Sequence, residues 1–293
     1  MTHRAGFVNI VGSPNVGKST LMNRLVGERL SIITSKAQTT RHRIMGLVNG
    51  DDFQIVYSDT PGVLDPKYKL QEGMMRFVQS ALQDADVLIV VTDIFEDDMN
   101  HPETLEKIAR MEVPVFVLIN KVDLAEPDVI EARITQWKER IPRAVVGPIS
   151  ALHGFNTENI LQYVIDKLPE SPPYFPKDEL TTKPMRFFVS EIIREKILLN
   201  YKQEIPYSCE VVVSQYLEDG PVIRIRAEIV VARESQKGIL IGHKGSMLKK
   251  VGTAARKDIE AFIDQKVFLE LFVKVDKDWR NDDKKLKRFG YLE

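Results

Sequence analysis

Cysteine is nearly missing from this chain. Among 293 residues only Cys209 carries a thiol, which excludes an intrachain disulfide framework and fits a reducing compartment. It lies in an apolar run and reads as core filling. Nor is there an apolar stretch near the ~20 residues that a bilayer span requires. The first residues lack a signal-peptide pattern, so a cytoplasmic protein is expected. Repeats and low-complexity segments are absent as well. Net charge is small, since 41 Lys and Arg face 42 Asp and Glu. The small total hides an offset. Residues 1–175 hold 18 basic and 23 acidic side chains, whereas residues 176–293 hold 23 and 19. An acidic half joined to a basic half points to two tasks, one of them involving a polyanion.

What is present is globular: 43% hydrophobic and 28% charged residues, over a length that suits two domains. Apolar runs at 7–11, 53–57, 87–92, 115–119 and 145–149 alternate with helical patterns. Such β-branched stretches suit strands buried on both faces of a parallel sheet. The runs at 44–48 and 53–57 differ, because Asn49-Gly50-Asp51-Asp52 between them is a hairpin signal. The expected first domain, residues 1–170, is therefore a doubly wound α/β sheet with one antiparallel edge strand. Pro169, Pro172, Pro173, Pro176 and Pro184 then mark a linker of restricted flexibility over residues 171–185. Residues 186–293 read as a smaller α+β domain. Its order is helix 187–201, strand 209–216, strand 222–232, helix, turn, helix 247–263, strand 267–275, with a short basic tail, Lys284-Lys285-Leu286-Lys287-Arg288.

The chemistry begins where the first run ends. Gly12-Ser13-Pro14-Asn15-Val16-Gly17-Lys18-Ser19, continuing into Thr20, follows a strand and opens an amphipathic helix, as a P-loop requires. Its backbone N–H groups form a concave phosphate site at a helix N-terminus. Lys18 brings a point charge to the β- and γ-phosphates, and the Ser19 hydroxyl ligates Mg²⁺. Asp59-Thr60-Pro61-Gly62 closes the 53–57 run, at the sheet edge where such folds bind ligands. Asp59 reaches Mg²⁺, through water, because this ion dehydrates reluctantly. The Gly62 N–H senses the γ-phosphate.

Asn120-Lys121-Val122-Asp123 stands at another strand end. Guanine presents N1–H and N2–H₂ as donors, which an acceptor-only carboxylate such as Asp123 matches. Adenine offers a lone pair there and is rejected. Asn120 bridges the base to the P-loop, the Lys121 stem covers the ring, and Ser150-Ala151-Leu152 presents an N–H to guanine O6. These segments, in this order, resemble the translation-factor-type GTPases. The remaining switch is expected within Ser35-Lys36-Ala37-Gln38-Thr39-Thr40-Arg41. Thr39 or Thr40 there contacts Mg²⁺ and the γ-phosphate. Catalytic roles thus fall on Lys18, Thr39, Thr40 and Gly62. Val63 stands where Ras-like enzymes carry a water-orienting Gln, so slow intrinsic hydrolysis is expected. Asn15 resembles the position where related GTPases hold K⁺.

In the second half, Ile241-Gly242-His243-Lys244-Gly245-Ser246 sets a Gly-x-x-Gly turn between helical patterns. KH domains use such a turn to admit a nucleic-acid backbone beside a groove for about four nucleotides. Lys237, Lys249 and Lys250 surround it. Single-stranded RNA fits better than duplex DNA. With the P-loop and the Asp-Thr-Pro-Gly and Asn-Lys-Val-Asp segments, the string Lys36-Ala-Gln-Thr-Thr-Arg-His-Arg43 makes the whole chain resemble the Era family, bacterial GTPases with a C-terminal KH domain. That resemblance implies binding near the 3′ end of small-subunit ribosomal RNA, help in 30S subunit assembly, and peripheral association with the inner membrane. A monomer is expected. Two other readings stay open: a constitutive RNA-binding assembly module with a structural nucleotide, and a GTPase whose second half docks protein.

Overall fold

The computed structural model describes residues 2–97, 99 and 101–292, which divide into two compact units. In the first, strands β1 (Arg4–Val11), β2 (Ile44–Asn49), β3 (Phe53–Asp59), β4 (Val87–Asp93), β5 (Val115–Asn120) and β6 (Val145–Pro148) alternate with helices. These helices are α1 (Lys18–Val26), α2 (Lys69–Gln83), α3 (Pro102–Ala109), α4 (Pro127–Arg140) and α5 (Glu158–Lys167). The sheet order is β2-β3-β1-β4-β5-β6. All pairs are parallel except β2–β3. β4 is buried at every position, as expected of a central strand covered by helices on both faces. The hairpin register sets Ile44 opposite Asp59, so the polar segment before β2 arrives beside the end of β3. The C-terminal ends of the parallel strands therefore share one edge, where α/β sheets bind ligands.

Residues 171–182 belong to this first unit. The buried Gln54 side chain explains why. Its Oε1 accepts the Tyr174 and Phe175 N–H groups at 2.7 and 3.0 Å, and its amide donates to the Phe175 carbonyl at 2.8 Å. Farther along, the Leu47 N–H donates to the Leu180 carbonyl and the Thr181 hydroxyl to the Met45 carbonyl. The restricted flexibility expected from the prolines thus has an added cause, a strap hydrogen-bonded along β2 and β3.

The second unit holds α6 (Met185–Asn200), the single turn α7 (Ile205–Ser208), β7 (Cys209–Leu217), β8 (Ile223–Val231), α8 (Glu234–Ile241), α9 (Ser246–Ile263), β9 (Val267–Val275) and α10 (Asp283–Arg288). Its sheet runs β7-β8-β9, antiparallel then parallel. A parallel pair needs a crossover, which α8 and α9 supply. Along β8, Ile223, Ile225, Ala227 and Ile229 face the core while Arg224 and Arg226 face outward. Cys209 is fully buried in that core. The closing basic run is not a tail. It forms α10, whose start is capped by Asp282 accepting the Lys285 N–H. Leu286, Trp279 and Tyr291 are buried, and the Tyr291 hydroxyl donates to Glu210 at 2.6 Å. The spaced apolar residues outweigh the lysines. Among the described residues, no helix is long and apolar enough to cross a membrane.

Candidate functional site

The loop after β1 turns sharply into α1. Gly17 has φ +100°, and a Cβ there would lie 2.1 Å from the Asn120 amide nitrogen, so only glycine fits. No side chain caps the first turn of α1, which leaves its N–H groups open to an anion. Lys18 folds back over the loop and donates to the Gly12 and Ser13 carbonyls at 3.0 and 2.8 Å. Burial lowers its pKa to about 8, with Asp59 and Glu96 opposing that shift. Lys18 therefore stands ready to exchange two carbonyls for a stronger anionic partner.

Three oxygen-bearing side chains meet beside it. The Ser19 hydroxyl donates to Asp59 Oδ2 at 2.7 Å and lies 2.8 Å from the Thr40 hydroxyl, itself 3.3 Å from Asp59 Oδ2. Asp59 is fully buried, and its Oδ1 has no hydrogen-bond partner. Burial raises its pKa, while Lys18 and the hydroxyls pull the other way. Thr39 is turned elsewhere, donating to the Lys36 carbonyl at 2.6 Å with Thr34 at 2.7 Å. Of the two threonines expected in the switch, Thr40 alone joins Ser19 and Asp59. Thr60 is buried, its hydroxyl on the Ile10 carbonyl. The Val63 N–H donates to the Gly12 carbonyl at 3.0 Å, which ties the Pro61-Gly62 turn to the P-loop. Val63 itself is buried.

On the far side, Asn120 donates to the Val16 carbonyl at 2.8 Å and accepts the Ala151 N–H at 2.9 Å. It links the P-loop to the 150–152 turn. Of the three residues expected to offer a backbone N–H to guanine O6, Ala151 has its own N–H on Asn120 in this structure. Lys121, at φ +63°, pairs with Asp93, and Val122 starts a one-turn helix carrying Asp123. The Ser150 hydroxyl donates to Asp123 Oδ1 at 2.6 Å, and Leu152 is exposed. Asn15, Lys18, Ser19, Thr40, Asp123 and Ser150 line one cavity of about 560 Å³, within the size range of nucleotide sites. Sequence reasoning missed Arg24, which holds the Ala151 and Leu152 carbonyls at 2.8 and 2.9 Å. It also missed Glu96, whose pKa is raised by burial and which takes the Thr92 hydroxyl. Asp93 carried a signal, its place at the end of β4. Arg24 carried none.

In the second unit, Gly242 has φ +69° and ψ 179°, and a Cβ there would come within 2.7 Å of Met247. The nearby Leu240 carbonyl accepts the buried Tyr201 hydroxyl at 2.6 Å, so the turn is anchored from beneath. His243, Lys244, Ser246, Lys249 and Lys250 are exposed around it, with Ile241, Gly245 and Lys237 half-buried. Gly245, Leu248, Gly252, Leu269 and Leu271 line an adjacent hollow of about 360 Å³. Lys249, Thr253 and Arg256 also line it, so a glycine turn, a basic rim and a hollow of mixed apolar and polar lining lie together.

Comparison with known proteins gives two family matches: a 50S ribosome-binding GTPase over residues 7–121 and a KH domain over residues 204–280. The GTPase Era of Staphylococcus haemolyticus is 43% identical over 293 residues, spanning 99% of this chain and 98% of that protein. The GTPase Era of Geobacter metallireducens is 46% identical over 291 residues, with 98% of each covered. A crystal structure of Era with MgGDPNP and nucleotides 1506–1542 of 16S ribosomal RNA matches at TM-score 0.94 and 37% identity, over 99% of this chain and 100% of that one. A single-substitution variant of Aquifex aeolicus Era bound to GDP·AlF4⁻ matches equally well, with TM-score 0.94 and 37% identity over the same shares. The P-loop sheet, the KH unit and this full-length identity together mean that the chain belongs to the Era family of GTPases.

Proposed function

We propose that this GTPase is a nucleotide-gated RNA-binding switch that grips small-subunit ribosomal RNA near its 3′ end during 30S assembly. The observation that carries this reading is the anchored Gly242–Gly245 turn, with His243 and Lys244 exposed at its tip, and its basic rim. A relative of nearly the same fold has been seen with nucleotides 1506–1542 of 16S ribosomal RNA. Glycines let a phosphate backbone approach, and lysines add charge without sequence choice.

In the first unit, Lys18 and the α1 N-terminus take the phosphates, and Asp123 takes guanine. The Ser19 and Thr40 hydroxyls with the orphaned Asp59 Oδ1 offer oxygen ligands only, the donor set of a hard cation. These residues would hold Mg²⁺, which would supply positive charge against the bound phosphates. Thr40 would add its hydroxyl to that ligand set with a γ-phosphate present and would be released after hydrolysis. Val63 cannot orient water, so turnover is slow until RNA binds. GTP changes RNA affinity through this loop, and RNA reciprocally changes nucleotide affinity. The decisive measurement is GTP turnover with and without ribosomal RNA. Replacing Gly242 and Gly245 together by Asp crowds the turn and puts two carboxylates against phosphates. The expected result is an abolished RNA response with basal turnover within twofold of the parent, about 0.4 kcal/mol in barrier height. An undiminished RNA response would move RNA binding elsewhere.

We also propose that Asn15, held at φ +66° on the cavity wall, lends its side-chain oxygen to a K⁺ ion beside the phosphates. Exchanging K⁺ for Na⁺ at constant ionic strength then lowers turnover several-fold, less than the roughly 10²–10³-fold cost of removing one oxyanion-hole donor. Asn15→Ala removes the difference between the two ions. Equal rates in both salts for the parent protein remove the K⁺ site.

A further inference from the structure

The string from Lys36 to Arg43 supplies Thr40, yet its buried end has no part in the nucleotide chemistry described above. Arg41, His42 and Arg43 are all buried. A guanidinium has five N–H donors and no acceptor, and Arg43 places all five. Its Nε donates to Ser58 Oγ at 2.6 Å, and Nη1 donates to Ser80 Oγ at 3.2 Å and Asp84 Oδ2 at 2.6 Å. Nη2 donates to Asn9 Oδ1 at 3.0 Å and Asp84 Oδ1 at 2.9 Å. Asn9 in turn donates to Asp84 Oδ1 and to the Ala81 carbonyl.

These partners lie on different elements, most of them leading to the metal site. Asn9 is on β1, which runs into the P-loop and Ser19. Ser58 immediately precedes Asp59 on β3. Ser80 is on α2, with Asp84 just past its end. Arg43 itself follows Thr40 by three residues. A bidentate guanidinium–carboxylate pair is directional; here the guanidinium is 7% exposed and the Asp84 carboxylate 41%, so water screens the pair from the carboxylate side while the geometry stays fixed.

We propose that Arg43 is a positioning residue for Mg²⁺ binding: it is the fixed post that holds the Thr40 segment in register with Asp59. The inference rests on the Mg²⁺ reading of the Ser19–Thr40–Asp59 cluster. Arg43 touches neither metal nor nucleotide and acts through the two residues that do. Lysine cannot replace it, because a point charge with three donors satisfies neither the planar pair nor all four partner side chains.

The test is binding of a non-hydrolysable GTP analogue, titrated with Mg²⁺ and also measured in chelator. In the parent, Mg²⁺ tightens binding. Arg43→Lys needs on the order of tenfold more Mg²⁺ for the same tightening, within the usual range of coupling between sites. Its affinity in chelator stays within twofold of the parent. Thr40→Ala with Arg43→Lys loses no more coupling than Thr40→Ala alone, since both changes act on one contact. A lower melting temperature with parental Mg²⁺ dependence would make Arg43 merely structural and overturn the inference. Should Arg43→Lys fail to fold, Ser58→Ala serves, because it removes one hydroxyl beside Asp59 and leaves the Asp84 pair intact. Its Mg²⁺ dependence must shift in the same direction, and a parental curve overturns the proposal. A parent without any Mg²⁺ effect would instead sink the metal reading, a distinct outcome.

Discussion

Asp123→Asn is expected to weaken GTP binding by on the order of 10³-fold or more and to let xanthosine triphosphate bind in its place. The carboxylate is acceptor-only. One oxygen takes the Ser150 hydroxyl at 2.6 Å, and the pair of donors on guanine needs the acceptors that remain. An amide at this position turns one acceptor into a donor, which then confronts guanine's N2–H₂. Mismatched polar groups in a closed site lose their water without gaining a partner. Xanthine carries a carbonyl where guanine carries the amino group. The introduced amide then accepts from N1–H and donates to that carbonyl. Competition binding with GTP, XTP and ATP measures the exchange. Unchanged GTP affinity in the variant would mean that another group reads the base, and the assignment of this pocket to guanine would fall.

Lys18→Ala should abolish turnover, with kcat/KM falling by about 10³-fold or more, as when a preorganised charge facing the transition state is removed. The sign of its pH behaviour gives an independent check. Burial lowers the Lys18 pKa to about 8 in the free protein. Polyphosphate beside the ammonium favours the charged form and raises that pKa again. Binding GDP at about pH 8.5 therefore takes up a proton, roughly three-quarters of one for a group titrating near 8. Affinity then declines as pH rises above the free-protein value. Calorimetry in two buffers of different ionisation enthalpy reads the uptake directly. In Lys18→Ala the uptake disappears along with turnover. Buffer-independent heats in the parent would separate Lys18 from the phosphates.

Much of the first unit was legible because its chemistry is local. A strand, a glycine-rich loop and a helix start occupy one continuous stretch around residues 7–26, and a short string reports the geometry. The Asp59 and Asn120 segments were readable for the same reason, each standing where a strand runs out. Thr39 and Thr40 could not be separated by type, since both are threonine and only folded contacts distinguish them: Thr39 turns to the Lys36 carbonyl while Thr40 meets Ser19 and Asp59. Arg24 and Arg43 were invisible for another reason. Their partners lie 127 and 41 residues away, and a long-range pairing leaves no periodicity behind. In the KH unit, every strand and the order of the principal helices followed from hydrophobic alternation. The closing helix did not, because four cations in five residues masked the buried Leu286 between them.

The strap over β2 and β3 has a practical consequence for anyone isolating the first domain. Ending the chain at residue 170, where the prolines gather, would leave Gln54 Oε1 without the Tyr174 and Phe175 N–H groups, with only its amide still on Asn49, and bare the outer rim of the sheet. A buried amide left unmatched costs about 1–3 kcal/mol, and an uncovered ribbon of N–H and C=O groups is a template for pairing between molecules. A stop codon after residue 182 keeps the cover in place, so the shorter fragment should clump in solution where the longer one stays dispersed.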